Sequence, residues 1–107
     1  MTTPESLLEA VERITGALSS DTHSSVNSST SSVTLIAANT IRKSLTIFNN
    51  STATLYVCFG TTATQASAKF PLTAGGFYEM PFNQVYTGVI SGIWTSANGN
   101  ASIYEGV

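Results

Sequence analysis

The sequence predicts an all-β fold: a small antiparallel β-sandwich or barrel of six to seven strands, preceded by one N-terminal helix and a Ser-rich linker. Short runs that alternate between apolar and polar residues recur about every ten residues through positions 33–107, as in small sandwiches and barrels. Turn residues separate these runs, and Asn98 followed by Gly99 is the strongest hairpin signal among them. Apolar spacing typical of a helix occurs at residues 4–18.

Residues 1–18 are predicted to form a docking helix. Thr3 can cap it, and Pro4 suits its first turn. Spacings of four, three and four residues place apolar side chains in a stripe along the helix. The stripe, with one further leucine beside it, consists of Leu7, Leu8, Val11, Ile14 and Leu18. An isolated helix of this length is marginal in water. We therefore predict that the stripe is buried on another chain, and packing on its own domain is the alternative.

Residues 19–32 are predicted to be a Ser/Thr-rich linker. Eight of these fourteen residues are Ser and two are Thr, so the segment has little to bury apart from Val26. A flexible chain of this length spans roughly 20 Å. We expect such a tether to let the helix reach another subunit. His23 lies within the tether and is expected to be solvated.

Residues 33–107 are predicted to form the β domain, a β-sandwich. Alternation places Leu45 and Ile47 on the inner side of one strand. It places Leu55, Val57 and Phe59 on the inner side of the next strand, with turn chemistry at residues 49–52 between the two. Further strands are predicted at residues 33–37, 69–72, 77–80, 85–94 and 101–105, with a bend or bulge at Gly88 and Gly92 within residues 85–94.

Large apolar residues also occur on the opposite sides of the predicted strands. They include Phe48, Tyr56 and Met80. A monomer would expose them as a larger apolar patch than soluble proteins usually show. A domain of about 75 residues is also near the lower limit for a self-sufficient core. We predict a homo-oligomer and favour a trimer over a dimer, since Ile14 at a d-like heptad position leans toward larger bundles.

Composition and charge exclude several classes of function. Charged residues make up 9% of the chain and the net charge is −2, so the four basic residues cannot form a patch that binds nucleic acid. No run of 18 apolar residues is present to cross a membrane. One Cys and one His exclude a disulfide framework, most metal sites and most nucleophile–base pairs. The sequence predicts a protein that is not an enzyme and that has no cofactor, metal site or small-molecule substrate.

A few residues of the β domain are candidates for chemistry or binding. Arg42 and Lys43 stand together just before a strand, where such a pair is most often a solvated turn. Contact with an acidic neighbour is the alternative, so both are candidate partner-binding residues. Cys58, in an alternating strand, is expected to be a small packing residue. Nothing places Glu79 and Glu105 across a cleft, as a pair of glycosidase carboxylates would require.

Residues 32–107 resemble small β proteins encoded among the structural genes of tailed bacteriophages. The resemblance rests on N-x-S-x-A-T-L-Y at residues 49–56, A-G-G-x-Y-E-x-P at 74–81 and Y-T-G-x-I-x-G-I-W at 86–94. Residues 35–39 and the pair Arg42 and Lys43 belong to the same pattern. The resemblance implies a virion component: a capsid decoration or cement protein, a head fibre, or a small neck or tail part. It brings no catalytic residues.

Three roles follow from these expectations. The favoured role is a capsid decoration (cement) protein that binds the major capsid protein and stabilises the shell. It would be made in the host cytoplasm and carried on the outer capsid surface, as a trimer, since decoration proteins of the resembled group commonly sit at three-fold positions. The alternative is a glycan- or receptor-binding module that uses exposed rings of Trp94, Tyr78, Tyr86 and Tyr104. The third role is a small head–tail or tail adaptor.

Overall fold

The computed structural model describes residues 18–107, which form eight strands. The strands are β1 (Asp21–Asn27), β2 (Val33–Ile36), β3 (Ser44–Asn50), β4 (Leu55–Phe59), β5 (Phe70–Leu72), β6 (Phe77–Glu79), β7 (Ile90–Trp94) and β8 (Asn100–Gly106). The predicted all-β class is confirmed, with one strand more than the six to seven expected. Most of the predicted docking helix, including Leu7, Leu8, Val11 and Ile14, lies outside the described residues.

The strands form two four-stranded antiparallel sheets. Sheet A has the order β1-β8-β3-β6, and sheet B has the order β2-β7-β4-β5. Each strand of the first half pairs with one of the second half: β1 with β8, β2 with β7, β3 with β6 and β4 with β5. The chain is thus one long hairpin folded over on itself, which is the jelly-roll arrangement.

The core lies between the inner faces of the two sheets. Sheet A contributes Leu45, Ile47 and Ile103, and sheet B contributes Leu55, Val57, Ile90 and Trp94, all of them fully buried. The predicted inward positions in β3 and β4 are confirmed, although Phe59 at the end of β4 is only partly buried. Alternation predicts these faces correctly because each strand has one side in the core.

Asn49 is a polar group at the centre of this core, and it connects the two sheets. Its Oδ1 accepts a hydrogen bond from Trp94 Nε1 at 3.1 Å. Its Nδ2 donates to the backbone carbonyls of Ala53 and Leu72, both at 2.8 Å. The predicted turn at residues 49–52 therefore begins two residues too early, because β3 continues through Asn50. A buried amide is stable here because its hydrogen bonds are made.

The predicted Ser-rich linker is wrong over half its length, because β1 occupies residues 21–27. The strand pairs in full register with β8, from Asp21 opposite Gly106 to Asn27 opposite Asn100. A strand of small polar residues is stable at a sheet edge because its backbone groups bond to the neighbouring strand, while half-buried Val26 packs against the core. Of the predicted tether, only Ser19 and Ser20 separate Leu18 from the sheet.

The single apolar second face predicted from Phe48, Tyr56 and Met80 does not exist. Met80 is buried in the core, and Phe48 and Tyr56 lie on different sheets whose outer sides face opposite directions. Residues 60–68 cover part of the outer side of sheet B. The backbone N–H of Ala63, itself buried, donates to Ser32 Oγ at 2.7 Å.

Truncation tests the assignment of β1. We expect deletion of residues 1–17 to leave a cooperatively folded domain, because every described strand is kept. Deletion of residues 1–32 removes β1 and exposes the edge of β8, which sits between β1 and β3. We expect that protein to aggregate or to lose cooperative unfolding. Circular dichroism during thermal unfolding distinguishes the two, and two deletions of equal stability would contradict the assignment.

Candidate functional site

Two large apolar side chains are exposed where residues 37–43 meet residues 80–88 at one end of the sandwich. Ile41 is 61% exposed and Phe82 is 64% exposed. The two segments are joined by a backbone hydrogen bond from the N–H of Asn39 to the carbonyl of Thr87, at 2.8 Å. We call this region the Phe82 end.

Arg42 holds the Phe82 end together from inside. Its Nε donates to Glu105 Oε2 at 2.7 Å in a buried ion pair. Its Nη1 donates to the carbonyls of Tyr86, at 2.7 Å, and Gly88, at 3.1 Å. Its Nη2 donates to the carbonyl of Ala37 at 2.7 Å. A planar guanidinium suits this task because its donors point in several fixed directions.

The two candidate partner-binding residues of this region have different positions. Arg42 is 4% exposed, so neither a solvated turn nor direct contact with a partner describes it. The acidic residue that it meets is Glu105 of its own chain. Lys43 is half-buried and lines the surface grooves described below. Its role toward a partner stays a prediction.

Asn39 shapes the turn that points Arg42 inward and Ile41 outward. Its Oδ1 accepts the N–H of Ile41 at 3.1 Å, and its carbonyl accepts the N–H of Arg42 at 3.2 Å. Such a turn is typical of asparagine, whose side chain bonds to the backbone two residues on. Asn39 Nδ2 also donates to Glu105 Oε1 at 3.2 Å. Glu105 therefore helps to position both residues. It pairs directly with Arg42, and it holds the Asn39 side chain that places Ile41 on the surface.

Two surface grooves lie beside Phe82. The first has a volume of about 410 Å³ and is lined by Lys43, Ser44, Thr46, Glu79, Met80, Pro81 and Phe82. The second has a volume of about 250 Å³ and is lined by Thr40, Arg42, Lys43, Phe82, Asn83, Val85 and Thr87. Lys43 and Phe82 line both grooves. The Phe82 end thus combines exposed apolar side chains with Lys43, on segments held by the hydrogen bonds of buried Arg42.

Sequence reasoning missed Ile41 and Phe82 as surface groups. The sequence predicts strand structure at residues 85–94 that is broken by a bend or bulge at Gly88 and Gly92, and β7 begins only at Ile90. Residues 85–89 form a loop instead, because the carbonyls of Tyr86 and Gly88 bond to Arg42 and that of Thr87 bonds to Asn39. Ile41 lies two residues after Asn39, and Phe82 directly follows Pro81. Their positions in turn-forming stretches were the sequence signal that could have identified them as exposed.

The aromatic residues proposed for glycan binding do not form an exposed platform. Trp94 is 1% exposed and lies in the core. Tyr86 stacks on Phe59, with ring centroids 4.7 Å apart. Tyr78 packs against Phe70, with ring centroids 4.4 Å apart. These half-buried rings extend the core toward the Phe82 end, whereas the remaining candidate, Tyr104, is exposed on sheet A.

No catalytic or metal-binding arrangement is found among residues 18–107. Cys58 is buried, and its Sγ lies 3.5 Å from the carbonyl of Thr64, as expected of a packing residue. His23 is exposed in β1 rather than in a linker, and its ring stacks on Tyr104. No group of three His, Cys, Asp or Glu side chains in this part of the chain could hold a metal ion. Within the same residues, no helix is long and apolar enough to span a bilayer.

No family model, curated protein sequence or solved structure matches this chain. Any functional assignment therefore depends on the residues and contacts of the chain itself.

Breaking the Arg42–Glu105 pair should be strongly destabilising. Arg42→Met leaves the Glu105 carboxylate buried without its cation and leaves three carbonyls without a donor. We expect a loss of about 3–5 kcal/mol in the free energy of unfolding. Glu79→Gln, at an exposed carboxylate, is the matched control and should change it by no more than about 0.5 kcal/mol. Urea unfolding measures both, and equal effects would show that Arg42 does not hold this end together.

The tyrosine packed beside the Phe82 end predicts a stability change at high pH. Burial raises the pKa of the Tyr78 phenol above its ordinary value of 10.0. The unfolded chain releases this proton near pH 10 while the folded chain keeps it. The free energy of unfolding should therefore fall as the pH rises above 10. Urea unfolding on either side of pH 10 measures the fall. It should be smaller in Tyr78→Phe than in Tyr104→Phe, and equal falls would contradict the assignment.

Proposed function

We propose that this chain is a structural component of a tailed-phage virion, a capsid decoration (cement) protein that attaches to the major capsid protein. The observation that carries the proposal is the Phe82 end. There, two large apolar side chains and Lys43 stand on segments held by a buried ion pair, without catalytic or metal-binding groups among the described residues. Such a surface is built for contact with another protein rather than for turnover.

The sequence resemblance to phage structural proteins supports the proposal because its motifs build this end. Ala37 and Asn39 lie in residues 35–39 of the pattern that carries the resemblance, Arg42 belongs to the basic pair after them, and Tyr86 and Gly88 lie in the motif at residues 86–94. The carbonyls of Ala37, Tyr86 and Gly88 accept hydrogen bonds from the Arg42 guanidinium, and Asn39 donates to its ion-pair partner Glu105. The residues that carry the resemblance therefore include those that position the loops of the Phe82 end, in addition to residues that pack the strands.

The size of the Phe82 end bears on how it would attach. A stable interface commonly buries about 800 Å² on each partner, and two apolar side chains with a lysine provide only part of that. Several copies that bind neighbouring capsid subunits together would gain affinity through effective concentration. We therefore keep the trimer as part of the proposal. The partner surface should offer an apolar pocket for these two apolar side chains.

The competing glycan-binding role has less support. It requires aromatic rings that are exposed and clustered, whereas Trp94 is in the core and Tyr78 and Tyr86 are packed in a half-buried cluster. The jelly-roll order of strands occurs both in viral capsid proteins and in lectins, so the fold does not discriminate between the roles.

Binding of purified protein to phage capsids that lack it tests the proposal. Removing the Phe82 ring in Phe82→Ser should weaken binding about ten- to a hundredfold, because burying such a side chain contributes about 1.5–3 kcal/mol. Phe77→Ser is the matched control, because Phe77 is also 64% exposed but lies in β6. Cosedimentation of each variant with capsids measures the affinity. Unchanged binding of Phe82→Ser, or no binding by the unmodified protein, would contradict the proposal.

A further inference from the structure

The outer side of sheet A carries exposed aromatic residues in two neighbouring rows. One row runs across four strands through His23, Tyr104, Thr46 and Glu79. The next runs through Ser25, Ser102, Phe48 and Phe77. Tyr104 is 42% exposed, Phe48 is 36% exposed and Phe77 is 64% exposed. We call these two rows the aromatic face. Sheet B differs, because residues 60–68 cover part of its outer side.

The described chain begins directly beside this face. Ser19 and Ser20 both donate their backbone N–H to the carbonyl of Val107, which fixes their position at the end of β8. The chain bends at Ser19, so that Leu18 turns back over Gly106 on the outer side of sheet A. A methyl group at Gly106 would come within 2.6 Å of Leu18 Cδ1, so glycine there leaves room for the leucine. Gly106 lies in the row adjacent to the one that contains Tyr104.

The position of Leu18 fixes which side of a preceding helix would face the sheet. Leu7, Val11 and Ile14 share the stripe that includes Leu18. If Leu18 contacts the outer side of sheet A, the other three face the same way. The acidic residues Glu5, Glu9 and Glu12 then point away from the sheet into water.

The spacing of the stripe matches the spacing of the rows. With a rise of about 1.5 Å per residue, Ile14 lies about 6 Å from Leu18, Val11 about 10 Å and Leu7 about 16 Å along a helix. Successive outward rows of a strand are about 6.8 Å apart, so the Tyr104 row lies about 7 Å and the Phe48 row about 14 Å from Gly106. Ile14 therefore reaches the first row, Val11 lies between the two rows, and Leu7 reaches the second.

We infer that residues 4–17 dock as a helix across the aromatic face of their own chain in the free protein. The occupant is the same chain because Leu18 already lies on this surface and only Ser19 and Ser20 separate it from β1. The inference goes beyond the proposed function, since it concerns the protein before any capsid contact. It also replaces the expected long tether, which would have directed the stripe to another subunit.

Disulfide trapping in the full-length protein tests the inference. Val11→Cys is combined with Ser102→Cys, which lies between Ser25 and Phe48 in the second row, in a Cys58→Ala background. The matched control pairs Glu9→Cys, on the opposite side of the helix, with Ser102→Cys. Under mild oxidation we expect the Val11 pair to form an intramolecular disulfide at least about tenfold faster than the control, because docking raises the effective concentration of the two thiols. Peptide mapping by mass spectrometry identifies the product.

Every outcome of the disulfide-trapping experiment either supports or overturns the docking inference. Equal rates for the two pairs would overturn the inference, and so would disulfides formed only between chains, which would place the stripe on a neighbouring copy. If the Cys58→Ala background fails to fold, hydrogen exchange of the unmodified protein serves instead. Amides of residues 7–14 should then be protected, and Phe48→Ser should remove that protection. Unprotected amides in the unmodified protein would overturn the inference, and neither readout involves capsids.

Discussion

The Arg42 side chain links sheet A, through Glu105, to loops that flank β2 and β7 of sheet B. Glu105 lies in β8, whereas the carbonyls bound by Arg42 belong to loops on both sides of the hairpin. A buried charge pair contributes little net stability unless its remaining donors are satisfied, and here Arg42 Nη1 and Nη2 find backbone carbonyls. These hydrogen bonds hold the loops in one conformation, in which Ile41 and Phe82 are exposed to solvent.

The outer sides of the two sheets differ in how far they are covered. Residues 60–68 lie over part of sheet B, where Cys58 and Ala63 are buried. Sheet A keeps Phe48, Phe77 and Tyr104 at its surface. In the two proposals made above, the capsid contacts the Phe82 end and the N-terminal segment covers sheet A, so each apolar surface would have a separate occupant. A small protein with few charges remains soluble more easily under such a division.

Sequence reasoning succeeded where one side of a strand is buried and failed where tertiary contacts decide. Alternation located Leu45, Ile47, Leu55 and Val57 because the core imposes a period of two. It could not detect β1, since serine and threonine there contribute backbone bonds rather than buried area. Burial of Arg42 was equally hidden, because its partner Glu105 is 63 residues away along the chain.

The place of β8 in sheet A has a consequence for synthesis. β8 is the last of the eight described strands to leave the ribosome, yet it lies between β1 and β3. Until it emerges, β1 has no strand to pair with, and the β3–β6 pair has an open edge. Such long-range pairing slows folding and exposes unpaired strands in the meantime. β1 is polar except for Val26, so it can remain in water without associating with other nascent chains, which a strand of valine and isoleucine could not do.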